Sequence, residues 1–278
     1  LQNRSRWLKF EKTISNTIKL VSGSGIELVL LKGMDFITTL YPDKGIRHLG
    51  DVDLLIWPDD IIKVVTILLK NDFLLGGLKD KKEAIKWLRI TKNIPSELVV
   101  VHSSGLYFEL HQHLVSSNWF KDAYPIDMDR IWQNSIKNNF FHEQSNNIRV
   151  LSPEDNIAYL ILHLANHGMG YQALHNYLDL DLIIRNFFNE LDWVQIRENI
   201  ISSRLSTAAN FILSFCSKYL DTPFPDDFLD SLPHHLWSRL VVFLLLKSVD
   251  LITGRETLGV KYPTLLKIAV IERFSDQV

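Results

Sequence analysis

Asp51 and Asp53 stand one residue apart at the entry to the apolar run Asp51-Val52-Asp53-Leu54-Leu55-Ile56, with Pro58 just past its end. Side chains in a strand alternate between its faces, so this spacing sends both carboxylates to one side and Val52, Leu54 and Ile56 to the other. Two acids so close repel each other unless something positive lies between them. For hard oxygen ligands that is usually a divalent cation together with a phosphate group. Glu109 is the natural third acid. In Leu106–Leu114, Phe108, Leu110 and Leu114 take one face, while Tyr107, Glu109, His111 and His113 take the other. Group transfer at phosphorus needs metals held by acids, and a further acid can activate the attacking hydroxyl, so Glu109 reads as metal ligand or base. Cations lie near in the sequence. Lys32-Gly33 falls at a strand-to-helix turn, where backbone N–H groups and the helix dipole favour phosphate. Arg47 offers a planar fork to a phosphate, or an ion pair to Asp51 or Asp53. Plainer readings stand beside these: an exposed strand edge also carries paired Asp, and a solvent-facing strand also carries Glu.

The elements that must hold these residues are legible in part. Trp7–Val21 has the spacing of an amphipathic helix, and Ile26–Leu31 reads as a first strand. Met34–Tyr41 has helical spacing stopped by Pro42, and Asp51–Ile56 reads as a strand. Asp59 or Asp60 can cap a helix running to about Asn71, with Ile61, Val64, Val65, Leu68 and Leu69 inward. Gly76-Gly77 is a turn, and Lys79–Trp87 is a charged segment of helical character. Glu97–His102 and Leu106–Leu114 read as strands joined across Ser103-Ser104-Gly105, a hairpin signal. Asn118–Arg149 reads as an irregular aromatic connector, followed by a short strand near Ile148–Leu151. At Ser152-Pro153-Glu154-Asp155 the composition changes to a helix start, with a Ser N-cap, Pro at the first position and acids in the first turn. Helices are expected over 153–167, 171–189, 193–203, 206–220, 234–253 and 262–273. The expectation is therefore an α/β domain over 1–150 and a helical domain over 151–278.

Composition bounds the rest. The 278 residues are 46% hydrophobic and 22% charged, with a formal net charge of −2, which suits a globular chain and leaves no general electrostatic footprint for nucleic acid. No apolar run reaches the roughly 18–20 residues of a membrane span. Cys216 is the lone cysteine, which excludes an intrachain disulfide and a cysteine zinc site and fits a reducing, cytoplasmic setting. His163-x-x-x-His167 has the spacing of two zinc ligands on a helix, but Leu164 stands where the zinc protease signature has its general-base Glu. Hydrogen-bonded core imidazoles are the favoured reading, with Asp179 or Asp181 available to orient one of them.

Taken in order, Leu31-Lys32-Gly33, Tyr41-Pro42, Arg47 and Gly50-Asp51-Val52-Asp53-Leu54-Leu55-Ile56 resemble the uncharacterised bacterial nucleotidyltransferases of the polymerase-β-like superfamily. Phe108-Glu109-Leu110-His111 is similar to that family's second strand motif, and Leu151–Asp155, His163–His167 and Leu178-Asp179 are similar to its helical half. The resemblance implies an α+β fold, with a nucleotidyltransferase-like mixed β-sheet and flanking helices followed by an all-helical domain. It implies Mg²⁺ or Mn²⁺ on Asp51 and Asp53 with Glu109 completing the set, and an NTP, ATP in the first instance, as donor. Lys32 and Gly33 stand where the superfamily has a Gly-Ser phosphate-binding turn. Lys32, Gly33 and Arg47 would contact the nucleotide, and His111, His163, His167 and Asp179 would lie toward an unidentified small-molecule or peptide acceptor. An NMP group would be transferred and pyrophosphate released. The alternatives are a non-catalytic nucleotide-binding module of the same fold, a kinase, and a zinc hydrolase built on His163, His167 and a third ligand.

Overall fold

The computed structural model describes residues 2–91, 94–115, 123–138, 147–167, 169 and 174–233. The helices expected over 234–253 and 262–273 lie outside these residues. By backbone contacts the chain divides into two units, Leu1–Asn118 with Asp127–Ser152, and Trp119–Ile126 with Pro153–Val278.

The first unit is built on one mixed sheet. Its strands are β1 (Leu28–Leu31), β2 (Val52–Ile56), β3 (Phe73–Leu75), β4 (Glu97–His102), β5 (Tyr107–His111), β6 (Ile136–Lys137) and β7 (Ile148–Val150). They lie in the order β3-β4-β5-β2-β1-β7-β6. β2 runs antiparallel to β1 but parallel to β5, and β1 runs parallel to β7. The helices of this unit are α1 (Gln2–Gly23), α2 (Lys32–Thr39), α3 (Ile61–Lys70), α4 (Lys81–Ile90) and α5 (Met128–Asn134). The architecture is the expected one, a mixed sheet with flanking helices.

Alternation in the strands decides which face is core. Leu28 and Leu30 of β1, Val52, Leu54 and Ile56 of β2, Val100 of β4 and Phe108 and Leu110 of β5 are buried in one cluster. Ile14, Ile18 and Val21 of α1 and Val64, Val65 and Leu68 of α3 close over it at helical spacing. Each such side chain contributes about 1.5–3 kcal/mol by leaving water. This face has no room for a register slip, because moving β2 by one residue would turn Asp53 into the core. Asp80 starts α4 by accepting from the backbone N–H groups of Lys82 and Glu83, and Asp127 starts α5 by accepting from that of Arg130.

Three details differ from expectation. α2 begins at Lys32, directly out of β1, and Lys32 takes the left-handed φ of 47° that this abrupt turn requires. β3 was not anticipated: with only Phe73–Leu75 it is too short for its alternation to stand out, and its pairing with β4 defines it. The expected connector includes α5 and β6, where Trp132 of α5 stacks on Trp57 at 4.4 Å between ring centroids. Tertiary packing there overrides a sequence without clear periodicity.

Within the second unit, α6 (Pro153–Asn166) packs against α7 (Leu174–Phe187), α8 (Trp193–Ser202) and α9 (Ser206–Leu220). Ile157, Leu160, Ile161 and Leu164 of α6 are buried, as are Leu180 and Ile184 of α7, Ile196 and Ile200 of α8 and Ile212 and Cys216 of α9. Asp192 caps α8 through the N–H groups of Val194 and Gln195. Among the described residues no helix is long and apolar enough to cross a membrane.

Candidate active site on the polar face of the sheet

The face of β2 opposite the core carries Asp53, and the parallel register of β2 on β5 sets Asp53 directly beside Glu109. Leu31, the last residue of β1, pairs with Asp53 from the other side, so Lys32 emerges next to it. Lys32 Nζ reaches Asp53 Oδ1 at 2.8 Å. From β5, His111 Nε2 reaches the same oxygen at 2.9 Å, and lies 3.7 Å from Glu109 Oε2. A carboxylate oxygen only accepts, so His111 Nε2 carries the hydrogen and donates. Asp53 and His111 are almost fully buried, at 3% and 2% exposure.

Electrostatics divide the three acids. Burial works against the charged form of Asp53, but the Lys32 ammonium and the His111 hydrogen bond outweigh it and hold this carboxyl well below the usual range. Burial pushes Glu109 up to about 8, with the charges of Asp53 and Asp51 adding to the rise. Asp51, which sits just before β2, is also raised, first by burial and then by Asp53, against the pull of Lys32 and Arg47. The cluster thus holds more negative charge than its cations comfortably neutralise. A divalent cation is what such a set accommodates. One donor atom each from Asp53, Glu109 and His111 lies within 4.8 Å of the other two, a mixed oxygen and nitrogen set at ligand spacing. Asp51 is not in that three-donor group, although its charge raises Glu109 and it is itself raised by Asp53.

The nucleotide-side candidates also come together. A Cβ on Gly33 would meet Arg47 Nη1 at 2.9 Å, so the Lys32-Gly33 turn and Arg47 share one wall. Arg47 is buried, donates from Nη1 to the His48 carbonyl and stands over the Phe36 ring. Its position is therefore fixed by packing rather than by a carboxylate alone. The strained φ at Lys32 falls at the residue that grips Asp53, the kind of placement found where a site determines backbone shape.

His111, expected toward the acceptor, is hydrogen-bonded to Asp53. Glu97 was not anticipated. It opens β4 opposite His111, with Oε2 3.8 Å from His111 Nδ1, and its charge also raises Glu109. The signal was present: a hairpin centred on Ser104 pairs Glu97 with His111. In the second unit, His163 and His167 face each other on α6 with ring centroids 4.3 Å apart, and Asp179 is fully buried on α7. Among the described residues, the group able to offer three ligands is that of Asp53, Glu109 and His111, and the imidazole pair of α6 is not part of one.

Among solved structures the chain is similar to the crystal structure of JHP933 from Helicobacter pylori, at 11% identity and a TM-score of 0.39, covering 98% of this chain and 94% of that one. No curated protein matches it. A family model described as an uncharacterised nucleotidyltransferase matches residues 1–221. The chain, with its acids gathered across β2 and β5, belongs to this uncharacterised nucleotidyltransferase family.

Proposed function

We propose that this protein transfers a nucleoside monophosphate group from an NTP, ATP in the first instance, to a small-molecule or peptide acceptor, with Mg²⁺ or Mn²⁺ as cofactor. The observation that carries the reading is the convergence of Asp53, Glu109 and His111 at ligand spacing beside Lys32, in a chain of a nucleotidyltransferase family. The acceptor nucleophile attacks the α-phosphorus, the bond from that phosphorus to the bridging oxygen breaks, and pyrophosphate leaves with the electron pair. Asp51, Asp53 and Glu109 would hold the cation. A divalent ion held there would supply charge neutralisation on the phosphates. Lys32 and Arg47 add fixed positive charge along the triphosphate, and the Gly33 backbone allows close approach. Glu109 is suited to take the acceptor's proton where it is not committed to the cation, because a base titrating near neutrality can both accept and release one.

The test is incubation with Mg²⁺ or Mn²⁺, each NTP in turn and a cell extract, followed by mass analysis. A product heavier by one nucleotide, formed together with pyrophosphate, is expected. Transfer of the γ-phosphoryl group instead would make the protein a kinase. One feature favours a second reading, a nucleotide-binding module without chemistry: the Lys32 ammonium already occupies Asp53. Thermal stabilisation by NTP with no pyrophosphate released would establish that reading in place of the first.

A further inference from the structure

His111 and Glu97 have no part in the acidic set of the proposed transfer, yet they are built into it. His111 is 2% exposed, and its Nδ1 has no hydrogen-bond partner. A buried ring nitrogen left in that state is costly, and native proteins rarely tolerate one without cause. The atom it faces is Glu97 Oε2, at 3.8 Å. Nε2 donates to Asp53, while Nδ1 is aimed at the Glu97 carboxylate from just beyond hydrogen-bond reach.

We infer that His111 Nε2 is a ligand of the catalytic cation, alongside Asp53 and Glu109, and that Glu97 is the positioning residue that receives the Nδ1 hydrogen when the cation is bound. With Nε2 coordinated, the ring hydrogen resides on Nδ1 and points at Glu97, which turns the orphaned pair into a carboxylate–imidazole–metal relay. Donor spacing agrees. Bonds of about 2.1 Å place adjacent octahedral ligands about 3.0 Å apart and tetrahedral ones about 3.4 Å apart. His111 Nε2 lies 2.9 Å from Asp53 Oδ1 and 3.7 Å from Glu109 Oε2. The cation class follows from the nitrogen. Imidazole favours first-row transition ions over Mg²⁺, so the site prefers Mn²⁺ or a later divalent ion to Mg²⁺. The inference refines the metal of the proposed nucleotidyl transfer and takes its metal dependence from that reading.

Mn²⁺ alone, added to the full chain without nucleotide, tests this independently of turnover. Electron spin echo measurements on the bound ion should show ¹⁴N modulation from a directly ligated imidazole. His111→Asn should abolish the modulation and reduce the preference for Mn²⁺ over Mg²⁺ from about tenfold to near unity. Glu97→Gln should retain the ¹⁴N signal while weakening Mn²⁺ roughly tenfold, and Glu97→Asp should restore part of the loss. Mn²⁺ bound by the wild-type chain without ¹⁴N modulation overturns the proposal, with no reliance on any variant folding. Full Mn²⁺ affinity in Glu97→Gln overturns the role of Glu97. Modulation without pyrophosphate release leaves the ligand set standing and removes the transfer reading, whereas release without modulation does the reverse.

Discussion

The polar face of the sheet and helix α6 both bring chemistry-bearing side chains together, by different means. On α6, His163 and His167 meet because helical residues four apart share a face, and their rings lie 4.3 Å apart. On the sheet, the groups that meet are far apart in sequence. Lys32 follows β1, Asp53 lies on β2 and Glu109 and His111 on β5, and strand register alone makes them neighbours. Local spacing yields a pair on one helix. Register across β1, β2 and β5 yields a cluster of opposite charges and three donors within 4.8 Å. The contrast teaches that a motif of two residues on one element is weaker evidence for a site than modest residues on elements that pair.

Substitutions sharpen the comparison. The largest effect is expected at Asp53, where Lys32, His111 and the cation all converge. Asp53→Asn should reduce pyrophosphate release roughly a thousandfold, the scale of removing a main electrostatic contact in a transfer reaction. The combined His163→Ala and His167→Ala change should leave Mn²⁺ affinity within about twofold of wild type. A large loss there would mean that the helix pair, not the sheet, supplies ligands.

Glu109 provides a pH signature. Its folded value of about 8 lies above the ordinary 4.5, so the folded chain holds the proton more tightly than the unfolded one. The protonated form favours folding fully below about 4.5, and that contribution is lost as pH rises toward 8. In chelator, Glu109→Gln should therefore raise Tm by roughly 2–4 °C at pH 8, the shift expected for about 1 kcal/mol in a chain of this size. The gain should shrink to nothing near pH 4.5. A gain that grows on acidification would contradict the assignment. The smallest change is expected at Cys216, whose thiol burial pushes up to about 12. Thiol reagents at pH 8 should leave it unmodified in the folded chain and label it on unfolding.

Much of this was legible in the sequence, for reasons that can be named. Alternation in 51–56 and 106–114 put Asp53 and Glu109 on polar faces, and both acids prove to be neighbours. The change at Ser152-Pro153 signalled a helix start, and α6 starts at Pro153. The parallel pairing of β2 with β5 was not readable, because no turn joins these strands and their order depends on the whole sheet. The contact of His111 with Asp53 was not readable either: being on the same face as Glu109 does not say which neighbouring strand the imidazole leans toward. Glu97 was readable from the hairpin geometry, but an acid at a strand start draws no attention until its partner is known to be a buried imidazole.

In the proposed transfer, acids on the polar face hold the cation that lets an NTP surrender its nucleotide. The most direct test is release of pyrophosphate and capture of α-label by acceptors in extract, compared between the wild-type chain and a folded Asp51→Asn/Asp53→Asn double variant. Metal-dependent transfer by the wild type and only background from the double variant are expected. Transfer by the double variant at the wild-type rate would contradict this role of the acids.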